Sequence, residues 1–416
     1  MRKILLSLLA FLPAIAFAQG FQVNVAGQKQ IGMGHTGTGL VQDGASIFFN
    51  PGAVAMLPEN SIQGGISPLF FKSAFNPSGS TDVYHNKDQV ATPFSGYAVF
   101  GPKNSWWKAG IGVYTPFGGL VDWGQNWPGK YVLESLNLKA IYIQPTVSVR
   151  LAKWISVGAG FVYNRGSVDL TRAIPLANST GADGQAELKG SGNGYGFNAG
   201  IYLQPTDKFS VGIDYRSKVN TTINNGNAIF QVPASVQANF PQPNTFNAGI
   251  PLPSTTSLGF GYKLNKAWTF ALDGNLVNWS VYKALAFNYA STTATLQNTN
   301  SPRNYQNAYS LRGGIQYVGN LAGAKSKYKH NMALRLGGGY ASNAAKDGYV
   351  SPEVPDAKRF FVTGGIGFKV IKHADVDLSF EYEHLMQRTQ TTIETQLSGT
   401  YKTDVYIPGI SFIYHW

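Results

Sequence analysis

The sequence predicts an all-β fold: a fourteen-stranded antiparallel transmembrane β-barrel with an N-terminal hatch, or plug, inside its lumen. Three observations predict it. Runs of about ten residues alternate apolar with small or polar side chains, which is the period of a two-faced strand. The connections between these runs alternate between short and long. Charged residues make up 13% of the chain, whereas a soluble domain usually carries about a quarter.

The N-terminus has the pattern of a secretory signal peptide over residues 1–18. Arg2 and Lys3 precede an apolar run from Ile4 to Phe17, and Ala16-Phe17-Ala18 supplies the small residues of a cleavage site. This run is shorter than the roughly 20 apolar residues of a membrane helix, so cleavage before Gln19 is predicted rather than a membrane anchor. The chain has no Cys, which excludes a lipid attached to cysteine and a disulfide framework.

Residues 19–58 show neither a strand period nor a helix period, and we interpret them as the hatch. A barrel of about fourteen strands has a lumen too wide for its own side chains to fill. The apolar groups Ile47-Phe48-Phe49 and Val54 to Leu57 would also be exposed to water in a free tail. Glycines on predicted inward faces would let a plug backbone come close to the wall. They are Gly158, Gly160, Gly337, Gly339, Gly365 and Gly367.

The barrel itself is predicted over residues 59–416. In the run Phe209–Arg216, the large apolar side chains fall on one face and the polar or small ones on the other. Alternating short turns and long loops are typical of outer-membrane barrels, whose short turns face the periplasm. The predicted strands lie near 61–71, 92–101, 105–115, 138–150, 154–168, 192–204, 208–218, 253–264, 267–280, 305–317, 331–341, 359–370, 375–387 and 403–416.

The last run agrees with a barrel that closes on itself. Ile410, Phe412, Tyr414 and Trp416 share one face, and the chain stops on an aromatic residue. Closure of the sheet is required because lipid cannot satisfy the hydrogen-bonding groups of a free strand edge.

The stretch Gly32–Gly37 has the G-x-G-x-x-G spacing of a dinucleotide-binding loop. Such a loop must follow a buried strand and open a helix within a parallel α/β unit. No such unit is predicted around it, so we interpret these glycines as backbone freedom for the hatch.

Segments spread along the chain resemble the FadL-type outer-membrane transporters of long-chain fatty acids and other hydrophobic compounds. They are Gly32–Gly34, Asp43–Gly52, Gly110–Gly118, Gln144–Ser148, Ser156–Gly160, Trp279–Ser280 with Tyr282, Leu311–Gly314, and Pro355–Asp356 through Arg359 to Gly365. The resemblance implies capture of ligand by outer loops, a pocket inside the barrel and exit through a gap in the wall. It also implies that an Asn-Pro-Ala element of the hatch lies beside that gap. Asn50 and Pro51 match this element, whereas Gly52 replaces its Ala and gives a more flexible backbone.

A carrier of hydrophobic compounds needs an apolar landing surface, and aromatic and leucine residues in two predicted outer loops are candidates for it. The alternative is that these side chains pack into small cores within the loops, and the sequence leaves both open. The candidates are Phe117, Trp123, Trp127, Leu133, Phe230 and Phe240.

Three arginines, Arg216, Arg312 and Arg335, are predicted to face inward and could anchor a ligand carboxylate with their forked donors. Bracing of wall and plug by ion pairs is the favoured alternative, because Asp and Glu residues are also predicted to face inward.

Other classes of function fit the sequence less well. No nucleophile motif or metal-binding motif is present, so we expect no enzyme, no cofactor and no metal. A general porin would not need a plug. A barrel accessory for protein secretion or surface assembly stays open, because fold does not fix function. The expected partners are a long-chain fatty acid or other hydrophobic small molecule, and outer-membrane lipid and lipopolysaccharide. We expect a monomer that binds no nucleic acid.

Overall fold

The computed structural model describes residues 20–176, 181–320 and 332–416. The predicted signal peptide, residues 1–18, lies outside the described residues. None of the helices in these ranges is long and apolar enough to cross a membrane. The helices are α1 (Gln28–Gly32), α2 (Ser46–Phe49) and three 3-10 helices at Pro51–Met56, Ala234–Asn239 and Trp279–Val281.

Nearly all the regular structure is antiparallel strand. The strands are β1 (Ser61–Ile66), β2 (Leu69–Pro77), β3 (Tyr84–His85), β4 (Val90–Ala91), β5 (Phe94–Phe100), β6 (Trp107–Asp122), β7 (Ser135–Ala152), β8 (Ile155–Ile174), β9 (Gly184–Leu203), β10 (Phe209–Arg216), β11 (Val219–Gln231), β12 (Asn244–Leu252), β13 (Thr255–Lys263), β14 (Trp268–Val277), β15 (Ala284–Tyr289), β16 (Thr299–Pro302), β17 (Ala308–Gly319), β18 (Met332–Ala341), β19 (Arg359–Ile371), β20 (Ala374–Thr391) and β21 (Ser398–His415).

These strands form a closed barrel of 14 antiparallel strands, which confirms the predicted fold class. The ring closes where β1 pairs with β21, from Ser61 opposite His415 to Ile66 opposite Ile410. The first barrel strand is β1 continued by β2, and the second is β4 continued by β5. The short strands β3, β11, β12, β15 and β16 lie in the long connections.

The predicted alternation of faces is confirmed in β10. Phe209, Ile213 and Tyr215 are 39–43% exposed on the outer surface, whereas Asp214 and Arg216 are buried on the inner face. The outer surface faces lipid, so its apolar side chains are exposed without contact with water.

Several long connections are not loops in the way the sequence predicts. The segment 169–191 is predicted as a loop, but β8 continues to Ile174 and β9 begins at Gly184. The alternation of faces continues beyond the predicted strand ends, with Leu170, Ala186 and Leu188 buried on the inner face, so the hairpin stays paired where a loop was predicted.

Residues 20–58, the segment predicted as the hatch, are largely buried and contact strands on several sides of the ring. Helix α1 contacts β18, β19 and β20, while the 3-10 helix Pro51–Met56 contacts β7, β8 and β9. Of the six glycines predicted to make room for the hatch, three lie against it: Gly158 at Pro51, Gly337 at Gly34 and Gly365 at Gly32. The other three lie against the barrel's own residues, which are Asn198 and Thr146 for Gly160, Phe361 for Gly339 and Asp377 for Gly367.

Candidate functional site

Four cavities follow one another from the long loops to the barrel wall. We name them the outer cavity (about 120 Å³), the apolar cavity (about 40 Å³), the central cavity (about 100 Å³) and the wall cavity (about 390 Å³). Neighbouring cavities share lining residues. Arg303 lines the outer and apolar cavities, Phe21 the apolar and central cavities, and Val23 the central and wall cavities. Glu353 lines the first three, so the cavities form one row.

The apolar cavity is built by inward positions of neighbouring strands. Residues two apart on a strand point to the same face, and this places Leu136 and Leu138 of β7 beside Val168 and Leu170 of β8. Ile250 of β12 completes this side of the cavity. An aliphatic chain or an aromatic ring fits such a lining, because it offers few groups that need a hydrogen-bond partner.

One ion pair stands where the outer and apolar cavities meet. Arg303 is 8% exposed, and its Nη2 lies 3.0 Å from Glu353 Oε1. Its Nη1 lies 3.9 Å from Glu394 Oε2. Glu353 Oε2 is buried and has no hydrogen-bond partner among the described residues. This junction is therefore polar, in contrast to the apolar walls below it.

The central cavity is lined on one side by paired charges. His35 of the hatch places Nε2 2.9 and 2.8 Å from the two carboxylate oxygens of Glu381 on β20. Its Nδ1 lies 2.9 Å from the Asn24 carbonyl oxygen. On the neighbouring strand, Arg359 donates from Nη1 to Glu383 Oε2 at 3.0 Å. The first pair joins the hatch to β20, and the second joins β19 to β20.

Asp356 holds the long loop between β18 and β19 over the same cavity. Its Oδ2 accepts hydrogen bonds from the backbone amides of Ala344 and Ala345 at 2.7 and 2.8 Å, and its Oδ1 accepts one from Gly20. Burial raises the pKa of Asp356, and the Arg359 guanidinium beside it acts in the opposite direction. The carboxylate thus joins the start of the described chain to an outer loop.

The start of the hatch adds a short strand to the edge of β6. Gln22 bridges to Phe117, the Val23 amide donates to the Pro116 carbonyl at 2.8 Å, and the Gly118 amide donates to the Phe21 carbonyl at 3.1 Å. These residues separate the central cavity from the wall cavity.

The wall has a seam at this point. Strand β5 pairs with β6 only as far as Ser95 opposite Tyr114, and β4 pairs with β2 instead. Above that level no ladder among the described strands joins β6 to β2 or β4. The β6–β7 register also shifts between Tyr114 and Phe117, where Pro116 lacks an amide to donate. Residues 21–23 cover the β6 edge that this seam leaves unpaired.

Comparison with known proteins identifies the family. The chain matches the family described as "Outer membrane protein transport protein (OMPP1/FadL/TodX)" over residues 9–416. The chain belongs to this family. The resemblance to FadL-type proteins and the outer-membrane location are thereby confirmed; cleavage of the signal peptide stays a prediction.

Relatives and solved structures of the FadL/TodX family extend over almost the whole chain. The long-chain fatty acid transport protein of Salmonella typhi is 24% identical over 404 residues, which cover 90% of this chain and 89% of that protein. A solved Pseudomonas aeruginosa FadL homologue has a TM-score of 0.81 at 18% identity, covering 95% of this chain and 99% of its own. For the Ralstonia pickettii toluene transporter TbuX, the TM-score is 0.69 at 15% identity, with 94% and 98% covered. At these identities, the structural likeness shows the fold alone.

The hatch element that matches the family's Asn-Pro-Ala lies against β9. Asn50 Nδ2 donates to the carbonyl oxygens of Thr38 and Ile201 at 2.9 and 3.0 Å. A Cβ at Gly52 would lie 2.7 Å from the Gly200 carbonyl oxygen, so glycine lets this backbone sit directly on the wall. Pro51 lies against Gly158 of β8. The seam is at β6, on the far side of β7, and a gating role for Asn50, Pro51 and Gly52 stays a prediction.

The three predicted anchor arginines are buried and bonded to protein groups. Arg216 donates from Nη1 to the Tyr114 hydroxyl at 2.6 Å and to Gln144 Oε1 at 2.9 Å, and from Nη2 to the Phe48 carbonyl at 2.9 Å. These contacts join β10, β6 and β7 to the hatch. These contacts match the alternative in which Arg216 braces the barrel wall and the hatch.

The other two arginines lie lower in the lumen. Arg335 donates to Asp377 Oδ1 at 2.6 Å and to Gln316 Oε1 at 2.7 Å, while Arg312 donates from Nε to Ser310 Oγ at 3.0 Å. Neither residue lines any of the four cavities. Arg335 instead lines a separate cavity of about 100 Å³, which Asp375 and Asp377 also line, and a carboxylate-anchoring role for these arginines stays a prediction.

Replacement of Arg216 with Met is expected to lower the free energy of unfolding by about 3 kcal/mol, because it leaves the buried Gln144 Oε1 and the Phe48 carbonyl oxygen without their charged donor. Urea unfolding of the purified barrel measures this loss. Arg165→Met is the control, since Arg165 is exposed and bonds to Asn193 and Ser191, and it should stay within about 0.5 kcal/mol of the parent. If Arg216→Met weakened fatty-acid binding at unchanged stability, Arg216 would be an anchor and the bracing role would be rejected.

The six candidates for a landing surface are all buried. Their exposed fractions run from 0% for Leu133 to 5% for Trp123 and Phe240. Trp123 and Trp127 stack with ring centroids 5.0 Å apart, and Phe230 packs on Phe240 at 5.5 Å. This burial favours the second alternative, cores within the loops, except for Phe117, which lies in β6 and packs on Phe21 and Trp279. A landing role for these side chains would require the loops to open.

Sequence reasoning missed the residues that line the row of cavities most directly. Arg303, Glu353 and His35 come from three distant parts of the chain and carry no motif. The segment Phe21–Val25 does alternate apolar and polar residues, a strand period that would have predicted pairing with the wall.

Proposed function

We propose that this member of the FadL/TodX family takes up long-chain fatty acids or related lipids and hydrocarbons by binding them in the barrel and releasing them sideways. The observation that carries the proposal is the row of four neighbouring cavities from the outer loops to the wall. A carrier needs apolar walls along its route and a few polar groups that orient the ligand. The apolar cavity and the Arg303–Glu353 junction supply both.

Sideways release has support in the seam beside β6. A ligand that left through the periplasmic end of the barrel would have to pass the hatch. The hatch is held by buried polar contacts to strands on opposite sides of the barrel. At the seam the short strand of residues 21–23 lies between the central cavity and the wall cavity, which also share Leu69 and Leu120 as lining residues. Its displacement breaks the two β6 hydrogen bonds and joins the two cavities. Residues 21–23 then gate the lateral exit.

The relatives suggest the ligands to test. A Salmonella typhi relative is a long-chain fatty acid transport protein, and a solved relative from Ralstonia pickettii is a toluene transporter. The experiment measures binding of a sixteen-carbon fatty acid and of toluene to the purified barrel, and then their transfer into vesicles. Binding and transfer of at least one is expected. Failure of both, together with capture of a secreted protein, would favour the accessory role in secretion or surface assembly.

Filling the apolar cavity should weaken binding at least tenfold, a loss of about 1.4 kcal/mol. Val168→Trp places an indole where Val168 is 5% exposed and lines this cavity. Val147→Trp is the matched control, because Val147 is 56% exposed on the lipid side of β7, and its affinity should equal the parent's. Titration with a fluorescent fatty acid measures both. Equal affinities in the two variants would show that the ligand does not occupy the apolar cavity.

A further inference from the structure

Each described short turn of the barrel presents one exposed lysine. The connection β5–β6 carries Lys103, β7–β8 carries Lys153, β9–β10 carries Lys208, β13–β14 carries Lys266 and β19–β20 carries Lys372. Asp207 is the acidic residue of these five turns. Because the turns join strands around much of the ring, the lysines form an incomplete circle, which we call the lysine rim.

Exposed aromatic side chains accompany the lysine rim on the lipid side. Trp106 is 62% exposed, Trp154 53% and Trp268 40%, each within three residues of a rim lysine. Phe209 follows Lys208 directly, and Trp416 ends the chain at the same edge. Tryptophan belts mark the level where acyl chains meet headgroups. The rim ammonium groups therefore lie at headgroup level or just beyond it.

Four lysines on the long-loop side are paired with carboxylates. Lys72 pairs with Asp88 at 2.6 Å, Lys87 with Asp122 at 3.0 Å, and Lys130 with Asp183 at 2.6 Å. Lys189 likewise pairs with Asp169 at 2.8 Å. Across residues 20–176, 181–320 and 332–416, none of the five rim lysines lies within ion-pair distance of a carboxylate. Rim charges are thus available to a partner, whereas these four outer charges are already paired.

We propose that the lysine rim binds the phosphate groups of anionic glycerophospholipids in the periplasmic leaflet of the outer membrane. The short turns face the periplasm in barrels of this kind. A flexible ammonium with no protein partner, held at headgroup level by an adjacent aromatic anchor, matches a lipid phosphate in position and in charge. The partner is a lipid already in contact with the neighbouring tryptophans. This interaction is independent of the ligand carried in the lumen.

The test uses protein purified from outer membranes and reconstituted into phosphatidylcholine vesicles. Brominated phosphatidylglycerol or brominated phosphatidylcholine is added at equal mole fraction, and quenching of tryptophan fluorescence is measured. Trp123, Trp127 and Trp279 are at most 5% exposed, so brominated lipid cannot reach them. Quenching therefore reports on lipid contact with the exposed tryptophans near the rim. Quenching should be about threefold stronger with the anionic lipid, and the difference should shrink as salt rises. Equal quenching by the two lipids overturns the proposal without recourse to any variant.

Two variants test whether the lysine rim is responsible for the preference for anionic lipid. Replacement of the five rim lysines with Gln should bring the two lipids to equal quenching. The control replaces Lys72, Lys87, Lys130 and Lys189 with Gln, and it should keep the parent's preference. If the preference survives in the rim variant, or disappears equally in both variants, net charge rather than the rim is responsible and the proposal is rejected.

Discussion

A disulfide between positions 22 and 117 is expected to stop uptake of hydrophobic ligand while leaving its binding intact. The chain has no native Cys, so Gln22→Cys with Phe117→Cys creates a single pair. These residues form an antiparallel bridge, flanked by the Val23–Pro116 and Gly118–Phe21 hydrogen bonds. Such a pair has Cα atoms about 4.5 Å apart, within the range that a disulfide spans. The bond would fix the hatch start across the seam.

The oxidised and reduced forms of this variant are each other's control. Oxidation should lower the rate of ligand transfer from barrel to bilayer at least tenfold, and a reductant should restore it. The two forms differ only in whether the disulfide holds residues 21–23 against β6. Loss of the Phe117 ring affects both forms equally, and the single variants Gln22→Cys and Phe117→Cys should not respond to oxidant. Fatty-acid binding in the oxidised form separates a closed exit from a damaged pocket. Full transfer by a verified disulfide would show that residues 21–23 do not gate the exit.

The barrel could be predicted from sequence because each membrane strand meets two different surroundings. Lipid selects large apolar side chains on one face, and the lumen selects small or polar ones on the other, so the period of two is strong. The predicted runs 331–341 and 359–370 agree closely with Met332–Ala341 and Arg359–Ile371. Strands β11 and β12 lie in a predicted loop, 219–252, because they leave the membrane and lose this contrast.

The row of cavities could not be predicted in the same way. His35 and Glu381 are 346 positions apart and meet only because the hatch folds back inside a closed ring. The β6–β7 register shifts at Pro116 beside the seam, but no local pattern shows that β4 does not pair with β6. The aromatic residues of the loops are recognisable as apolar clusters. Whether such a cluster is buried or presented to ligand depends on how separate loops pack together.

Displacement of the hatch from the barrel wall is the second large effect that we expect. Two substitutions, Gly314→Ala and Gly337→Ala, should be enough to cause it. A Cβ added at Gly314 would overlap the Met33 carbonyl, and one at Gly337 would overlap the Gly34 amide. Both press on the same tight turn, where Gly34 has a φ of 68° and its amide donates to Thr363 Oγ1 at 3.0 Å. Each overpacked contact costs about 1–3 kcal/mol. The turn should therefore leave the wall in Gly314→Ala with Gly337→Ala.

A lumen without its hatch admits water, since about fourteen strands enclose more space than their side chains fill. Single-channel conductance in planar bilayers should rise at least tenfold in the double variant. Gly313→Ala with Gly274→Ala is the matched control: at Gly313 the nearest atom to an added Cβ is 3.9 Å away, and at Gly274 nothing lies within 4 Å. This control should stay closed. An equally closed double variant would show that the buried polar contacts of the hatch, such as His35 with Glu381, hold it without close backbone packing.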